Sequence, residues 1–531
     1  MNKFLFLGSI VSLSLCLFSC REERLSSEIP AENPVVNPVM SKDTEMKTQF
    51  AKALAKALKD HKELRDFIKM EALKQVNRDY DVLYHVIKNK PVVALTAMGG
   101  NTIHDLLLPY FETEAQLLEI ESSMPLLTIF VPDLPEDSFS AESWETMDEI
   151  PYVGVRTYGN DDVPIYMADG GHFVLEAKYI PGFPVVVIKD NERVISNTDS
   201  RYNKLDTRVL TEPTDDVQLR LADNNFDVTI VNPPPPPPPS GDYPRVDSYH
   251  VQAYDAYKDY TPGGWQRDFI YYGLTPDYPN GALRQNYIEY VTAIQFIGNP
   301  NTAYTNLAEG LNDPRFKDET IIWGPQDPPQ TSGWTDGEYD FRIICHTGST
   351  DVSQIIDKGV PIVPEDLFVI TYTKEKFLWG LYKYTPHITG TKMYDLYERP
   401  ERIELVTWDL STKSNIWKIE FWEVDTGADL TKTESHTFKY NGNVSIDING
   451  GGEKTKWGLK FGSSVETTDT QTYTIEWEDG DDHLGDSEIR FDHNVVDWKP
   501  LWLFPEYGRL VPRKYNPAPN IEIEVRPRLA Y

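Results

Sequence analysis

The residues of this sequence most suited to chemistry are two groups of aspartates, each close behind a tryptophan. They are Asp425 and Asp429 after Trp422, and Asp479, Asp481, Asp482 and Asp486 after Trp477. Clustered carboxylates repel one another unless solvent or a hard cation screens them, and Ca²⁺ in proteins takes about six to eight oxygen ligands. The pattern therefore predicts a calcium site, and the alternative is a solvated acidic turn in an acidic protein.

Both stretches resemble the acidic loop that follows a tryptophan-bearing strand in C2 domains, where aspartates hold calcium. The resemblance implies that two such loops lie at one end of a β-sandwich and share ions. The stretch does not match the EF-hand pattern, because His483 stands where that pattern needs Asp or Asn.

Signatures of common enzyme classes are missing from the full sequence. It contains no His-Glu-x-x-His, no Gly-x-Ser-x-Gly and no glycine-rich phosphate loop. Cys345 and His346 are neighbours in a run that predicts a strand, so their side chains point to opposite faces and cannot form a dyad. Cys345 is thus predicted to be a small buried side chain. A glycosidase-like carboxylate pair remains an alternative, since the sequence does not specify distances between carboxylates.

The N-terminal residues are typical of an export signal. Lys3 precedes an apolar segment at 4–18, which is shorter than the roughly 20 apolar residues of a transmembrane helix. Residues 17–20 resemble a bacterial lipobox, which implies cleavage before Cys20 and lipidation of its thiol. Residues 21–23 resemble the tag that sends Bacteroidetes lipoproteins to the outer face of the outer membrane. An ordinary signal peptide with an incidental cysteine is the alternative.

The composition is typical of a folded exterior protein. The chain has 531 residues, 40% of them hydrophobic and 25% charged, with a formal net charge of -32. This charge argues against binding to nucleic acid or to anionic membrane surfaces. Once Cys16 leaves with the signal and Cys20 is lipidated, Cys345 is the one remaining thiol, so cores rather than an intramolecular disulfide must stabilise the chain.

Changes in amino-acid composition and hydrophobic pattern along the chain predict its domains. They are a lipoprotein signal peptide (1–19), a flexible tether (20–41), an α+β domain (42–231), a polyproline linker (232–241), a β-rich domain (242–400), a β-sandwich-like domain (401–498) and a C-terminal extension with an edge strand (499–531). The seven prolines at 233–239 favour polyproline II, a semi-rigid spacer of roughly 20 Å.

The fold class predicted for the N-terminal domain is α+β. Apolar residues repeat at helical spacing from Phe50 to Leu58 and again from Leu64, with a break near His61. Further helices are predicted at 102–108 and 113–122, and strands at 126–131, 152–155, 172–175 and 184–188. Helices that precede strands indicate segregated layers rather than alternating βαβ units.

The C-terminal half is predicted to be mostly β. Alternating runs indicate strands at 403–408, 416–424, 435–440, 444–448, 456–461, 470–477 and 488–491, with hairpin turns at 441–442 and 449–450. Short strands at this spacing predict a β-sandwich-like module of about 100 residues. Residues 521–525 alternate cleanly and predict an edge strand that Pro527 stops.

Several segments are similar to a recurring set of Bacteroidetes surface lipoproteins. They are 125–132, 184–193, 408–419, 458–462 and 481–486. The resemblance implies the domain layout and a lipid-anchored place on the outer membrane, facing the cell exterior, and it carries over no catalytic residue.

From these features we expect a non-enzymatic ligand-binding or adhesion module that binds a glycan or protein ligand with the assistance of calcium. Aromatic side chains between 254 and 272 are candidate binding platforms, and core packing is the alternative role for each of them. A surface hydrolase acting on glycan or peptide is one alternative function. An aerolysin-like pore former is another, suggested by the paired Ser/Thr-rich runs at 456–462 and 467–474.

Overall fold

The computed structural model describes most of the chain from residue 41 to residue 529. The described residues are 41–92, 101–134, 139–157, 162–176, 179–230, 245–246, 250–251, 254–255, 286–307, 320–323, 334–335, 338–348, 355–376, 381–397, 399, 401–408, 413, 416–424, 431–440, 469–478, 481–491, 493–500 and 508–529. The predicted signal peptide, nearly all of the tether and the polyproline linker lie outside them. No described helix has the length and apolar character needed to span a bilayer.

Residues 42–230 hold five helices and eight strands within the described ranges. The helices α1–α5 are Lys42–Asp60, Lys62–Ala72, Tyr84–Ile87, Ile103–Leu107 and Glu114–Ser123. The strands β1–β8 are Asp81–Leu83, Thr128–Phe130, Tyr152–Val155, Val163–Tyr166, His172–Leu175, Val185–Lys189, Val194–Ser196 and Leu219–Leu221. Apart from the short β1, the strands follow the helices, as the sequence predicted.

The break between α1 and α2 falls at His61, where the helical pattern predicted it. The backbone of His61 is extended, with φ -121° and ψ 97°, so the chain changes direction between the two helices. Each helix buries its periodic apolar residues, among them Phe50 and Leu54 in α1 and Leu64 in α2. Burial of one apolar stripe is what a 3.6-residue period produces.

A capping box begins the predicted helix near residue 102. The Thr102 hydroxyl accepts a hydrogen bond from the Asp105 backbone N–H at 3.2 Å, and the Asp105 carboxylate accepts one from the Thr102 N–H at 2.9 Å. These bonds satisfy donors that the first turn of a helix leaves without partners. The sequence therefore located the start of α4 through local chemistry.

Six of these strands form one sheet, in the order β1-β2-β6-β3-β4-β5. All neighbours are antiparallel except β3 and β6, which run parallel. One face of the sheet packs under α1, where Val82, Ile129 and Ile188 join the apolar core. Asp81 and Lys189 lie on the opposite face. Asp81 of β1 is level with Val187 of β6 across β2, and Lys189 shares a face with Val187 because side chains two residues apart on a strand point the same way.

Residues 286–529 are mostly strand. The strands β9–β16 are Tyr287–Phe296, Thr320–Trp323, Tyr339–His346, Ile355–Ile362, Phe368–Lys376, Leu381–Thr391, Met393–Tyr394 and Ile403–Glu404. The strands β17–β24 are Ile416–Glu423, Thr431–Tyr440, Asp469–Glu478, Asp482–Arg490, Val496–Pro500, Gly508–Pro512, Lys514–Ala518 and Ile521–Leu529. The helices α6 and α7 are Pro300–Leu307 and Pro364–Leu367.

Strand pairing in this region crosses the predicted boundary at residue 400. One sheet has the order β12-β11-β17-β20, and another has the order β15-β9-β24-β23 with β16 also on β9. Side chains from both sheets share one apolar core, in which the rings of Trp408 and Trp417 stack with centroids 3.7 Å apart. Strands of residues 401–498 therefore also belong to sheets that include earlier residues, because β16 and β17 pair with strands from before residue 350.

The last strand differs from the predicted edge strand. β24 lies between β9 and β23 and continues past Pro527 to Leu529. Among the described residues, β23 pairs only with positions 521–524 of β24. Pro527 thus lies where β24 is paired on one side, and an edge tolerates the missing N–H of proline.

Two of the predicted strands form a long ribbon. β18 and β19 pair antiparallel from Thr431↔Glu478 to Tyr440↔Asp469, which covers the predicted strands at 435–440 and 470–477. The predicted strands at 444–448 and 456–461, and both predicted Asn-Gly turns, lie outside the described residues.

Candidate functional site

A cavity of about 490 Å³ lies where residues 191–226 meet the sheet of β11 and β12. Its lining is rich in charged side chains: Glu192, Asp199, Arg201, Asp340, Arg342, Asp357 and Asp481. Clefts of this size, lined by groups from separate stretches of chain, are common ligand sites.

Close packing beside the cavity fixes the geometry of its walls. A Cβ atom on Gly359 of β12 would lie 2.7 Å from the ring of Phe226, so only glycine allows this approach. Asn225 donates its side-chain N–H to the Gly359 carbonyl at 2.9 Å. These contacts join the stretch after β8 to β12, and the two walls are thereby held together.

Two arginine–aspartate pairs line the cavity. Arg342 donates to both carboxylate oxygens of Asp357, with Nη2–Oδ2 at 2.6 Å and Nε–Oδ1 at 2.9 Å. Arg201 Nη2 donates to Asp199 Oδ2 at 2.7 Å. Burial would raise the pKa of Asp357, but the charge and hydrogen bonds of Arg342 outweigh it and hold the pKa below its usual value. The hydrogen bonds and charge of Arg201 likewise outweigh burial and hold the pKa of Asp199 below its usual value, so both aspartates are ionised acceptors at neutral pH.

Arg193 links the two regions behind the cavity. It is fully buried, donates from Nε to Asp340 Oδ2 at 3.2 Å and from Nη2 to Glu338 Oε2 at 2.5 Å. Its Nη1 also donates to the Asn77 carbonyl at 3.3 Å. Burial raises the pKa of Asp340 to about 7 despite the attraction of Arg193.

An acidic cluster adjoins Arg193, in which Asp81 is buried and Asp79 and Glu192 are half-buried. Asp79, Asp81 and Glu192 each offer a carboxylate oxygen, and these oxygens all lie within 4.8 Å of one another. The ammonium group of Lys189 lies beside them, with Nζ 2.9 Å from Glu192 Oε1 and 3.8 Å from Asp81 Oδ1. Burial raises the pKa of Asp81 to about 6 against the opposing charge of Lys189.

The aspartates that the sequence predicted as calcium ligands do not form one cluster among the described residues. Asp482 and Asp486 lie on strand β20 rather than on a loop. Four residues of strand separate them by about 13 Å, so one ion with oxygens at about 2.3–2.6 Å cannot bind both. Asp486 instead pairs with Lys418 at 3.1 Å. Asp481 is buried and lines the cavity.

The remaining predicted site residues lie outside the described residues. They are Cys20, Asp425, Asp429 and Asp479. Lipidation at Cys20 and a calcium role for these three aspartates stay predictions.

The structure confirms the prediction that Cys345 is a small buried side chain. It is a free cysteine with no exposed surface, in the core shared by the two sheets of residues 286–529. Burial raises the pKa of its thiol above the ordinary value, so the nucleophilic thiolate is disfavoured. Its neighbour His346 is also in strand β11.

Sequence reasoning missed the acidic cluster, although one signal was present. Asn77, Asp79 and Asp81 alternate along the chain just before and into β1, and alternating side chains share a face in extended backbone. Glu192 comes from the turn after β6. No local pattern states that β1 and β6 flank the same strand, β2, and this pairing brings the carboxylates together.

Comparisons with protein-family models, with curated proteins and with solved structures found no match to this chain.

Proposed function

We propose that this protein is a lipid-anchored protein of the outer membrane that faces the cell exterior and captures a ligand in the charged cavity. The observation that carries the proposal is the cavity of about 490 Å³ with its charged lining. Its walls are held by buried contacts between distant segments, and a pre-formed site loses little entropy on binding.

The lining chemistry supports a ligand that is rich in hydrogen-bond donors. Five of the seven charged side chains are carboxylates, and both arginines already bind lining aspartates. Sugar hydroxyls, or the lysine and arginine side chains of a protein, offer the matching donors. We therefore propose a glycan or a basic protein segment as the ligand, and a binding screen of the full chain against both classes separates them.

Asp199 and Asp497 provide a matched test of this cavity. Each accepts a hydrogen bond from an arginine at 2.7 Å, and only Asp199 lines the cavity. For a ligand found in the screen, Asp199→Asn should weaken affinity at least about tenfold, because hydrogen bonds to charged groups are the strong ones. Asp497→Asn should leave affinity unchanged. Equal affinities for the wild type and Asp199→Asn would contradict binding at this cavity.

We further infer that the two sheets with the Trp408–Trp417 core form a sandwich-like module that presents one wall of the cavity. Their shared apolar core supports this interpretation, since face-to-face sheets bury interdigitated side chains. In this module, residues 401–498 contribute some of the strands and residues 287–362 and 521–529 contribute others.

The anchor is proposed on the lipobox resemblance at residues 17–20. Replacing Cys20 by serine removes the thiol that would carry the lipid, so the variant should leave the membrane fraction. Fractionation of cells that produce the wild type or Cys20→Ser, followed by detection of the protein, measures this. Identical membrane recovery of both proteins would contradict lipid anchoring at Cys20.

A further inference from the structure

The acidic cluster behind the cavity contains more carboxylates than cationic side chains. Five carboxylates meet there: Asp79, Asp81, Glu192, Glu338 and Asp340. The cations that act on them most strongly are Lys189 and Arg193. Burying a carboxylate without a compensating charge is costly, so this cluster favours an additional positive charge.

Buried oxygens without hydrogen bonds lie in the same cluster. Asn77 has no exposed surface, and its Nδ2 donates to Asp81 Oδ2 at 2.8 Å. This bond fixes the amide, and Asn77 Oδ1, which shares a carbon with that nitrogen, accepts no hydrogen bond from the residues that the structure describes. The same holds for Asp81 Oδ1 and Glu192 Oε2, although Asp81 Oδ1 lies 3.8 Å from Lys189 Nζ. Native structures rarely leave buried oxygens in this state without a bound water or ion.

We propose that Asp79, Asp81 and Glu192 bind a calcium ion, with the Asn77 side-chain oxygen as a further ligand. Ca²⁺ binds oxygens at about 2.3–2.6 Å, so two ligands on opposite sides of it are separated by up to about 5 Å. The carboxylate oxygens lie within 4.8 Å of one another, which is compatible with one shared Ca²⁺. Mg²⁺ needs near-octahedral geometry and usually keeps several waters, so a site built from protein oxygens favours Ca²⁺.

The fold holds these ligands in place before an ion arrives. Asp81 begins β1, and Glu192 follows β6, and both strands pair with β2. Asn191 donates its side-chain N–H to Asp81 Oδ2 at 2.8 Å, which orients the carboxylate from the side of the Glu192 turn. A ligand supported by such outer hydrogen bonds binds metal more tightly. Of the three carboxylates, only Glu192 also lines the cavity, and the titration below contains no cavity ligand, so it tests the ion site separately from the proposed function.

Calorimetric titration tests this site on the purified full chain after chelator treatment and buffer exchange. CaCl₂ should bind the wild type at one saturable site, and MgCl₂ should bind more weakly. Asp79→Asn should weaken calcium binding at least about tenfold, because ligand charge tunes calcium affinity. Asp66→Asn is the matched control, an aspartate paired with Lys62 on helix α2, and it should bind calcium as the wild type does.

Three outcomes of this titration would overturn the proposal. The first is the absence of saturable calcium binding to the wild type, and the second is unchanged binding by Asp79→Asn. Loss of binding in Asp486→Asn alone would move the ion to the C-terminal aspartates and reject this site.

A measurement that leaves every ligand intact covers the case in which Asp79→Asn fails to fold. Terbium replaces calcium at oxygen sites and emits when a nearby tyrosine is excited. Tyr80 stands between Asp79 and Asp81 in the chain. Emission of the wild type with terbium should therefore fall in Tyr80→Phe and on addition of CaCl₂. The site would be rejected if neither the Tyr80→Phe substitution nor the addition of CaCl₂ lowered the terbium emission.

Discussion

The two regions of this protein assemble their cores from different distances along the chain. Residues 42–230 pack α1 over one sheet whose strands all come from residues 81–189. In residues 286–529 the neighbouring strands β9 and β24 pair Tyr287 with Leu529, almost the whole length of the region apart. Non-local pairing pays loop-closure entropy before it gains contacts, so we expect the N-terminal region to acquire structure first.

The boundary between residues 42–230 and residues 286–529 differs from the two apolar cores in containing buried ion pairs. Apolar side chains do cross it, since Trp334 and Tyr384 join the core under α1. The polar contacts there include ion pairs between distant residues, such as Arg193 with Asp340 and Lys358 with Asp223. Buried ion pairs contribute little net stability, yet breaking one of them is expensive. This contrast teaches that loss of one buried charge at the boundary destabilises the protein more than loss of an exposed charge in either region.

Loss of Arg193 should have the largest effect. Arg193→Ala leaves Asp340 and Glu338 without their buried partner, and it should lower the free energy of unfolding by about 3–5 kcal/mol. Arg208→Ala is the control, because Arg208 pairs with Asp227 at the same 3.2 Å but is 38% exposed, and it should cost at most about 1 kcal/mol. Denaturant unfolding of the three proteins measures both values. Equal stabilities of the two variants would show that the regions do not depend on this contact.

Asp223 should give the boundary a pH dependence of intermediate size. Burial raises its pKa to about 6, against the opposing charge of Lys358 3.9 Å away. A folded-state pKa above the unfolded value means that the folded protein holds the proton more tightly. This contribution to stability is complete below about pH 4 and is lost as pH rises through about 6.

Asp223→Asn removes this titration. Relative to the variant, the wild type should lose at most about 3 kcal/mol of stability between pH 4 and pH 7, at about 1.4 kcal/mol for each unit of pKa shift. Denaturant unfolding of both proteins at several pH values measures the difference. Parallel pH profiles of the two proteins would rule out Asp223 as a source of pH dependence.

A cap within the N-terminal region should give the smallest effect. Thr102→Ala removes the hydroxyl that accepts from the Asp105 N–H, and it should cost about 0.5–2 kcal/mol. Thr102→Ser keeps the acceptor and should restore most of that loss. A cost as large as that of Arg193→Ala would show that the local cap matters as much as the boundary, and the comparison would fail.

Agreement between sequence and structure follows the same division. The break at His61, the cap at Thr102 and the strand Tyr152–Val155 lie where local patterns predicted them. In the C-terminal region the alternation located β17 and β24, but it predicted neither their partners nor the central position of β24. Period-two patterns state which residues share a face and leave the neighbouring strand unspecified.

What the sequence determined by itself is therefore the local structure of this protein. Helical hydrogen bonds and caps join residues about four positions apart, so α1, α2 and α4 can be predicted from nearby residues. The burial of Cys345 could likewise be predicted from its apolar neighbours. Only the tertiary structure decided which strands pair, and with them the cavity and the acidic cluster. Asp79 and Glu192 are more than a hundred positions apart and meet because β1 and β6 both flank β2. A contact of that kind depends on the whole sheet, and no single segment encodes it.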